Sequence, residues 1–248
     1  QGSYPQLILT NIDNYGIVGE WLWASFEFEV NKKGVRFFDK SDHPHISKFP
    51  INLYSKKFFL YKSSNEIFAI VVSEKNDILL YSASLPDLNF VRVDDSIGKY
   101  LDTANTCIYM EVFEKLPGIL IINKKLNSRV SSGVFTSISF NHGLKWTHVK
   151  LPKLIEGKLC EFPSCYLCLK LECSKDTKEK SFKYNEEFPS LITSYGTLFR
   201  NGKQEFGSMF VSIDAGYTWK PMPKILKRIE ILDNGELLVG IPRQLYVI

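Results

Sequence analysis

The sequence predicts an all-β protein made of β-propeller blades with Asp-box hairpins, and three observations lead to it. Runs rich in β-branched and aromatic residues, punctuated by Gly, Pro, Asn and Asp, dominate the 248 residues. No long segment keeps the apolar period of an amphipathic helix. A short motif ending in an aromatic residue recurs at a spacing suited to blades of four strands.

The strand runs come in order as EWLWASFEFEV (20–30), EIFAIVVSEKNDILLYSAS (66–84), NTCIYMEVF (105–113), GVFTSISF (133–140) and GSMFVSIDAGYTW (207–219). The last of these closes on the motif, Ser212, Asp214, Gly216, Thr218 and Trp219. No nucleophile, base or metal ligand stands beside it. Its logic is that of a turn: a carboxylate to accept from backbone N–H groups, a glycine for positive φ, two hydroxyls for the remaining turn groups, and a tryptophan that drops into a core. Ser139, Asn141, Gly143 and Trp146 form a second copy. Degenerate copies are expected at 30–37, ending on Phe37, and at 82–90, ending on Phe90 with one residue inserted. The closing aromatics Phe37, Phe90, Trp146 and Trp219 then lie 53, 56 and 73 residues apart.

The widest interval holds a cysteine cluster and the charged stretch SKDTKEKSFKYNEE (174–187), read as a solvated loop inserted in a blade. After Trp219, KRIEILDNGELLVGI (227–241) reads as the first hairpin of another blade with Asn234 and Gly235 at its turn. The whole chain, 1–248, is thus one segment of a single propeller. Its blades fall at roughly 1–50, 51–100, 101–152 and 153–223, with the next starting at 224–248, about four to five blades in all.

Net charge is +4, from lysines scattered along the chain, which gives no reason to expect nucleic acid. The longest apolar runs are far shorter than the ~20 residues of a membrane-spanning helix, so a membrane is expected only through segments absent here. The first residues lack the charged-then-apolar pattern of a signal peptide. No cofactor is expected.

Four of the five cysteines, Cys160, Cys165, Cys168 and Cys173, crowd together, and Cys107 stands apart. Their spacing, C-x4-C-x2-C-x4-C, lacks the paired C-x2-C knuckles of a zinc ribbon, and two local disulfides are the competing reading. Disulfides would place the chain in the secretory lumen or outside the cell. Cys107 is read as a buried apolar residue whose pairing with one of the four stays open. His43 and His45 lack a third ligand in register, so no metal site is assigned. His142 and His148 flank a turn and are expected on its solvent side, where they could switch charge near endosomal pH.

The ordered set SISFNHGLKWTHVKLP (137–152), CEFPSCYLCLKL (160–171), PSLITSYGTLFRNG (189–202), FVSIDAGYTWKPM (210–222) and IEILDNGELLVGI (229–241) resembles the luminal domain of the sortilin family. These are vacuolar protein sorting receptors built on a large propeller with Asp-box turns. The first ~130 residues match by repeat rhythm alone. The resemblance implies a luminal cargo-binding domain that holds peptides or proproteins for traffic between Golgi, endosomes and cell surface, does no chemistry, and is part of a larger ring completed by further blades from the same or another chain. It puts the family's cysteine pair on Cys160 and Cys165 and its Asp-box positions on the two copies above. Cys168 departs from the family, with Cys173 as its expected partner. The family's ligand-binding residues have no counterpart here, so the ligand-binding set is unknown. Two readings compete: a sialidase-like Asp-box glycosidase, which needs an arginine cluster, a Tyr nucleophile with a Glu partner and an Asp acid, and a non-catalytic half-propeller scaffold completed by another chain.

Overall fold

The structure, a computed structural model, describes residues 12–29, 32–39, 44–49, 55–73, 78–94, 110–127, 132–171 and 182–242. It is all-β, with no α-helix among the described residues. The chain divides into two compact units, Gln1–Gly98 and Lys99–Ile248.

The first unit holds two four-stranded antiparallel meanders. One runs β1 (Ile12–Val18), β2 (Trp21–Glu29), β3 (Lys32–Phe38), β4 (Pro44–Ile46); the other β5 (Ser55–Ser63), β6 (Glu66–Ser73), β7 (Ile78–Ser84), β8 (Val91–Asp94). Strand β6 is apolar on both faces because both are covered: Ile67, Ala69 and Val71 face a core with Val35, Phe37, Phe58 and Phe90, while Phe68 and Ile70 are buried on the other side. This arrangement corrects one expected turn. Residues 32–37 lie within β3, where Gly34 pairs with Phe26, so the copy ending on Phe37 is strand and not an Asp box. Its alternation is the reason: Val35 and Phe37 are buried on one face, as a strand requires.

The second unit opens with a meander of β9 (Met110–Val112), β10 (Leu120–Asn127), β11 (Ser132–Ser139) and β12 (Thr147–His148). A small hairpin, β13 (Leu154–Ile155) and β14 (Lys158–Leu159), follows. Next comes a sheet in which β15 (Cys165–Leu169) and β16 (Lys183–Tyr184) both pair with β17 (Ile192–Arg200), which then pairs with β18 (Lys203–Ser212) and β18 with β19 (Lys220–Pro221). The end of the charged stretch is therefore strand and not solvated loop, since Lys183 and Tyr184 pair with the same partner as β15. Leu171 and Phe182 are both buried in one core with Ile121, Ile138, Ile192, Phe210 and Trp219. Last is the hairpin β20 (Leu226–Leu232) and β21 (Leu237–Pro242), whose connection carries positive φ at Asp233, Asn234 and Gly235.

Within each unit the same backbone ladder ties one meander to the next. Lys48 donates its N–H to the Leu88 carbonyl at 3.0 Å and accepts from the Phe90 N–H at 2.7 Å. Lys150 donates to the Tyr217 carbonyl at 2.7 Å and accepts from the Trp219 N–H at 2.9 Å. Each lysine forms a short parallel bridge with the residue before the closing aromatic, Asn89 or Thr218. The residue ahead of each lysine bonds back to its own sheet, Ser47 to Val35 and Val149 to Thr136. Met222 bonds to Met209 in the same way, which puts Pro223 in the third lysine place. Proline has no N–H to give, and the Pro223 carbonyl already accepts from Leu226 at 3.0 Å.

Candidate functional site

The two Asp-box turns follow the third strands β11 and β18. In each the serine hydroxyl accepts from the glycine N–H, Gly143 to Ser139 and Gly216 to Ser212, both at 2.9 Å. In each the serine hydroxyl also donates to the side-chain oxygen two residues on, to Asn141 at 3.1 Å and to Asp214 at 2.9 Å. That oxygen then accepts the backbone N–H four residues ahead of it, from Lys145 or Thr218, at 2.8 Å in both. Gly143 and Gly216 hold φ of +88° and +92°, and His142 and Ala215 before them are also left-handed. Their N–H groups reach the loop ahead of the second strand, His142 to the Gly118 carbonyl and Ala215 to the Ser190 carbonyl, both at 2.9 Å.

Two differences separate the turns. Thr218 adds a hydroxyl bond to the second Asp214 oxygen at 2.6 Å, which Lys145 cannot supply. Burial works against the charge on Asp214, yet the bonds from Thr218, Ser212 and Tyr217 outweigh it and hold its carboxyl below the usual carboxylate range. The second difference is the tryptophan. Trp219 is fully buried and donates its indole N–H to the Gly216 carbonyl at 2.7 Å. Trp146 is half-buried, its ring lies under the Lys124 ammonium at 4.7 Å, and its indole N–H has no partner among the described residues.

A groove of about 590 Å³ runs between the turns, lined by Ile138, Phe140, Trp146 and Tyr217 and by one cation and one anion, Lys145 and Asp214. Phe140 and Tyr217 meet edge to face, ring centres 5.7 Å apart.

Behind the turns, a buried polar relay crosses from β10 and β11 to β15. Thr136 accepts from the Leu169 N–H at 2.8 Å and donates to the Asn123 side-chain oxygen at 2.7 Å, and the Asn123 amide donates to the Leu169 carbonyl at 3.0 Å. Isolated Asn and Thr residues inside strands give no sequence signal for such a relay.

Cys160 and Cys165 are joined by a disulfide. The loop they close is held by the Asn201 N–H to the Ser164 carbonyl at 2.7 Å, and by Arg200, which donates to the Leu159 carbonyl and to Glu205. Lys158 meets the other Glu205 oxygen at 3.0 Å. Cys168 corrects the expectation of a second local disulfide: it is a free thiol. Cys165, Leu167 and Leu169 point into one core, so alternation turns Cys168 to the opposite face of β15, where burial pushes its thiol up to about 11. Cys107 and Cys173 lie outside the described residues.

His148 is not on the solvent side of its turn. It stacks on Phe162, ring centres 4.2 Å apart, and its Nε2 faces the Lys150 ammonium at 3.3 Å. Burial first, and Lys150 second, lower its pKa from the ordinary 6.5. His45 pairs with Asp39 at 3.1 Å, and His43 lies outside the described residues. Three of the described arginines have separate neighbours, Arg36 over the Phe26 ring, Arg200 to Glu205 and Arg228 to Glu230. No group of three metal-ligating side chains occurs among the described residues.

The sequence profile of the Sortilin-Vps10 family, described as sortilin, neurotensin receptor 3, matches residues 8–246. The vacuolar protein sorting/targeting protein 10 of Mycosarcoma maydis is 27% identical over 219 residues, which cover 85% of this chain and 14% of that protein. The human VPS10 domain-containing receptor SorCS1 is 28% identical over 187 residues, 71% of this chain and 15% of the receptor. An uncharacterized membrane glycoprotein of Saccharomyces cerevisiae is 28% identical over 273 residues, 96% of this chain and 23% of that protein. The chain thus spans between about a seventh and a quarter of the length of these relatives. Among solved structures, an endo-arabinase from Bacteroides thetaiotaomicron aligns at a TM-score of 0.34 with 11% identity, over 91% of this chain and 90% of that one, too slight a likeness to carry an argument.

Proposed function

The chain belongs to the Sortilin-Vps10 family of sorting receptors, and on that footing we propose that it is a luminal cargo-binding segment, holding peptides or proproteins for transport between Golgi and endosomes. The observation that carries this reading is the span of the family match. Residues 8–246 take in every described sheet of both units, so no described sheet is left over for another kind of domain.

The meanders are read as consecutive blades of one propeller, with further blades from the same or another chain completing the ring. Blades around an axis present strand ends and backbone N–H and C=O groups to a central opening, where an extended peptide can be held by strand addition. Family membership favours binding over chemistry. The disulfide supports an oxidising compartment, the secretory lumen or the cell exterior.

The test is to immobilise the non-reduced chain, pass a secretory-pathway lumen fraction over it at neutral pH, elute at mildly acidic pH, and titrate each released protein in purified form. Saturable binding of a propeptide-bearing luminal protein is expected. Release of no such protein, or hydrolysis of a sialoside by the chain, would overturn the reading. A stoichiometric partner that acid does not release would favour a scaffold shared between two chains.

A further inference from the structure

We propose that the groove between the two Asp-box turns of the second unit docks an acidic peptide segment, one that carries a carboxylate side chain next to an aromatic or aliphatic one. The apolar half of the argument is the pattern of exposure. Each turn places large apolar side chains at two solvent-facing positions, Phe140 and Leu144 in one, Ile213 and Tyr217 in the other, exposed by 46%, 69%, 65% and 37%. The turn bonds are made by Ser, Asn or Asp, Gly and Thr, so locking the hairpin asks nothing of these four positions. Phe140 and Tyr217 touch, so the two turns share an exposed aromatic pair of the kind that marks an interaction site.

The one side-chain charge left open to a partner selects the occupant. The Asp214 carboxylate lines the groove and keeps its charge, but its oxygens are engaged inside the turn by Ser212 and Thr218, as the Asn141 oxygen is by Ser139 and Lys145. The side-chain groups left open at the groove are chiefly donors. The Lys145 ammonium, the Asn141 amide NH2 and the Thr147 hydroxyl line the groove without a hydrogen-bond or ion-pair partner. With Asp214 tied into its turn, a surface whose open groups are a cation, an amide and a hydroxyl beside exposed aromatic rings is complementary to a partner bringing a carboxylate and an apolar side chain together, and a basic segment would meet Lys145 unpaired. The groove is defined by its own donors and walls, independently of the sorting reading.

Two synthetic peptides test this, acetyl-Gly-Glu-Phe-Leu-Gly-amide and its counterpart with Lys for Glu, both capped so that the central side chain carries the only charge. They are titrated into the full chain and followed by tryptophan fluorescence. The acidic peptide is expected to bind about tenfold more tightly than the basic one, a difference of about 1.4 kcal/mol. Lys145→Glu should reverse that preference, Phe140→Ser should weaken both peptides, and Trp146→Phe should remove the fluorescence response. Lys145 and Phe140 are exposed, so an unchanged melting midpoint confirms that these variants are folded. Equal affinity for the two peptides, no binding of either, or a preference untouched by Lys145→Glu would overturn the proposal. So would self-association of the chain that Phe140→Ser abolishes, since the occupant would then be a second copy. Capture of luminal cargo by Lys145→Glu at the native level would leave the sorting reading standing while removing this groove from it.

Discussion

Phe90 in the first unit and Trp219 in the second are held by the same ladder, each donating its N–H to a lysine carbonyl while that lysine donates to a carbonyl two residues ahead of the aromatic. The lead-in differs. Trp219 follows a complete Ser-Asp-Gly-Thr turn, whereas Phe90 follows Leu85–Asn89, in which the Leu88 N–H returns to the Ser84 carbonyl at 3.0 Å and no side-chain lock is present. Phe90 is instead stacked flat on Phe49, ring centres 4.3 Å apart, the residue directly after the lysine of its ladder. Joining two meanders therefore needs a buried aromatic and two backbone bonds, and the Asp box is one of two ways to aim that aromatic.

If that comparison is right, the largest losses fall on the aromatics in both units. Phe90→Ala and Trp219→Ala should each cost about 3–5 kcal/mol, from lost burial and the cavity left behind. Chemical denaturation of each variant checks this, and a Phe90 variant much milder than the Trp219 variant would break the equivalence. Next is Thr136→Val, which keeps the shape but strands the Leu169 N–H and the Asn123 oxygen inside the second unit. About 2–3 kcal/mol is expected, read by the same denaturation. Asn123, Thr136 and Leu169 all belong to the second unit, so this loss falls there.

The box itself should matter less than the aromatic it aims. Asp214→Ala removes acceptors for the Thr218 N–H, the Thr218 hydroxyl and the Ser212 hydroxyl, and about 1–2 kcal/mol should be lost, much as for a helix N-cap. Asp214→Asn copies the Asn141 turn and should cost less than half of that. Equal losses for the two substitutions would mean that charge, and not acceptor geometry, holds the turn.

The smallest effects are those of pH. Asp214 has a depressed carboxyl in the fold, so its contribution is present above its unfolded value near 3.8 and is lost as pH falls through the folded one. The Asn141 turn has no titrating side chain in that place, and Asp214→Asn should flatten the acid limb of the stability profile. His148 is also depressed, which means that the unfolded chain binds its proton first. Its contribution is complete above the ordinary 6.5 and fades as pH falls through the folded value. His148→Phe, which keeps a ring against Phe162, should remove that slope in thermal melts between neutral and mildly acidic pH.

Much of this was legible because it is local. Ser212 to Trp219 and its copy from Ser139 are turns whose donors and acceptors lie within four residues, so the sequence alone lays out their chemistry. The copy ending on Phe37 misled because a glycine and an aromatic three apart fit a strand interior as well as a turn, and Gly34 lies mid-strand in β3. The ladders were not legible, since Lys48 and Lys150 act through backbone groups that every residue but proline carries. The same holds for the relay of Asn123 and Thr136, whose partner is the main chain of Leu169, 46 and 33 residues away. The facing of Cys168 was legible, since three residues beyond Cys165 on one strand it has to turn the other way, whereas its state as a free thiol was not.

Pro223 has a consequence for how the molecule comes apart. At the two earlier places a lysine couples neighbouring sheets through main-chain bonds, so one sheet cannot open without straining the next. At Pro223 there is no donor, and the acceptor is turned back on Leu226. The β20–β21 hairpin is attached by side chains, through Ile229 against Leu191, Met209 and Val211 and through the Lys183–Glu230 ion pair at 2.7 Å. Cooperativity should therefore drop at this residue, and the amides of β20 and β21 should exchange with solvent deuterium through a sub-global opening that leaves those of β17 and β18 protected.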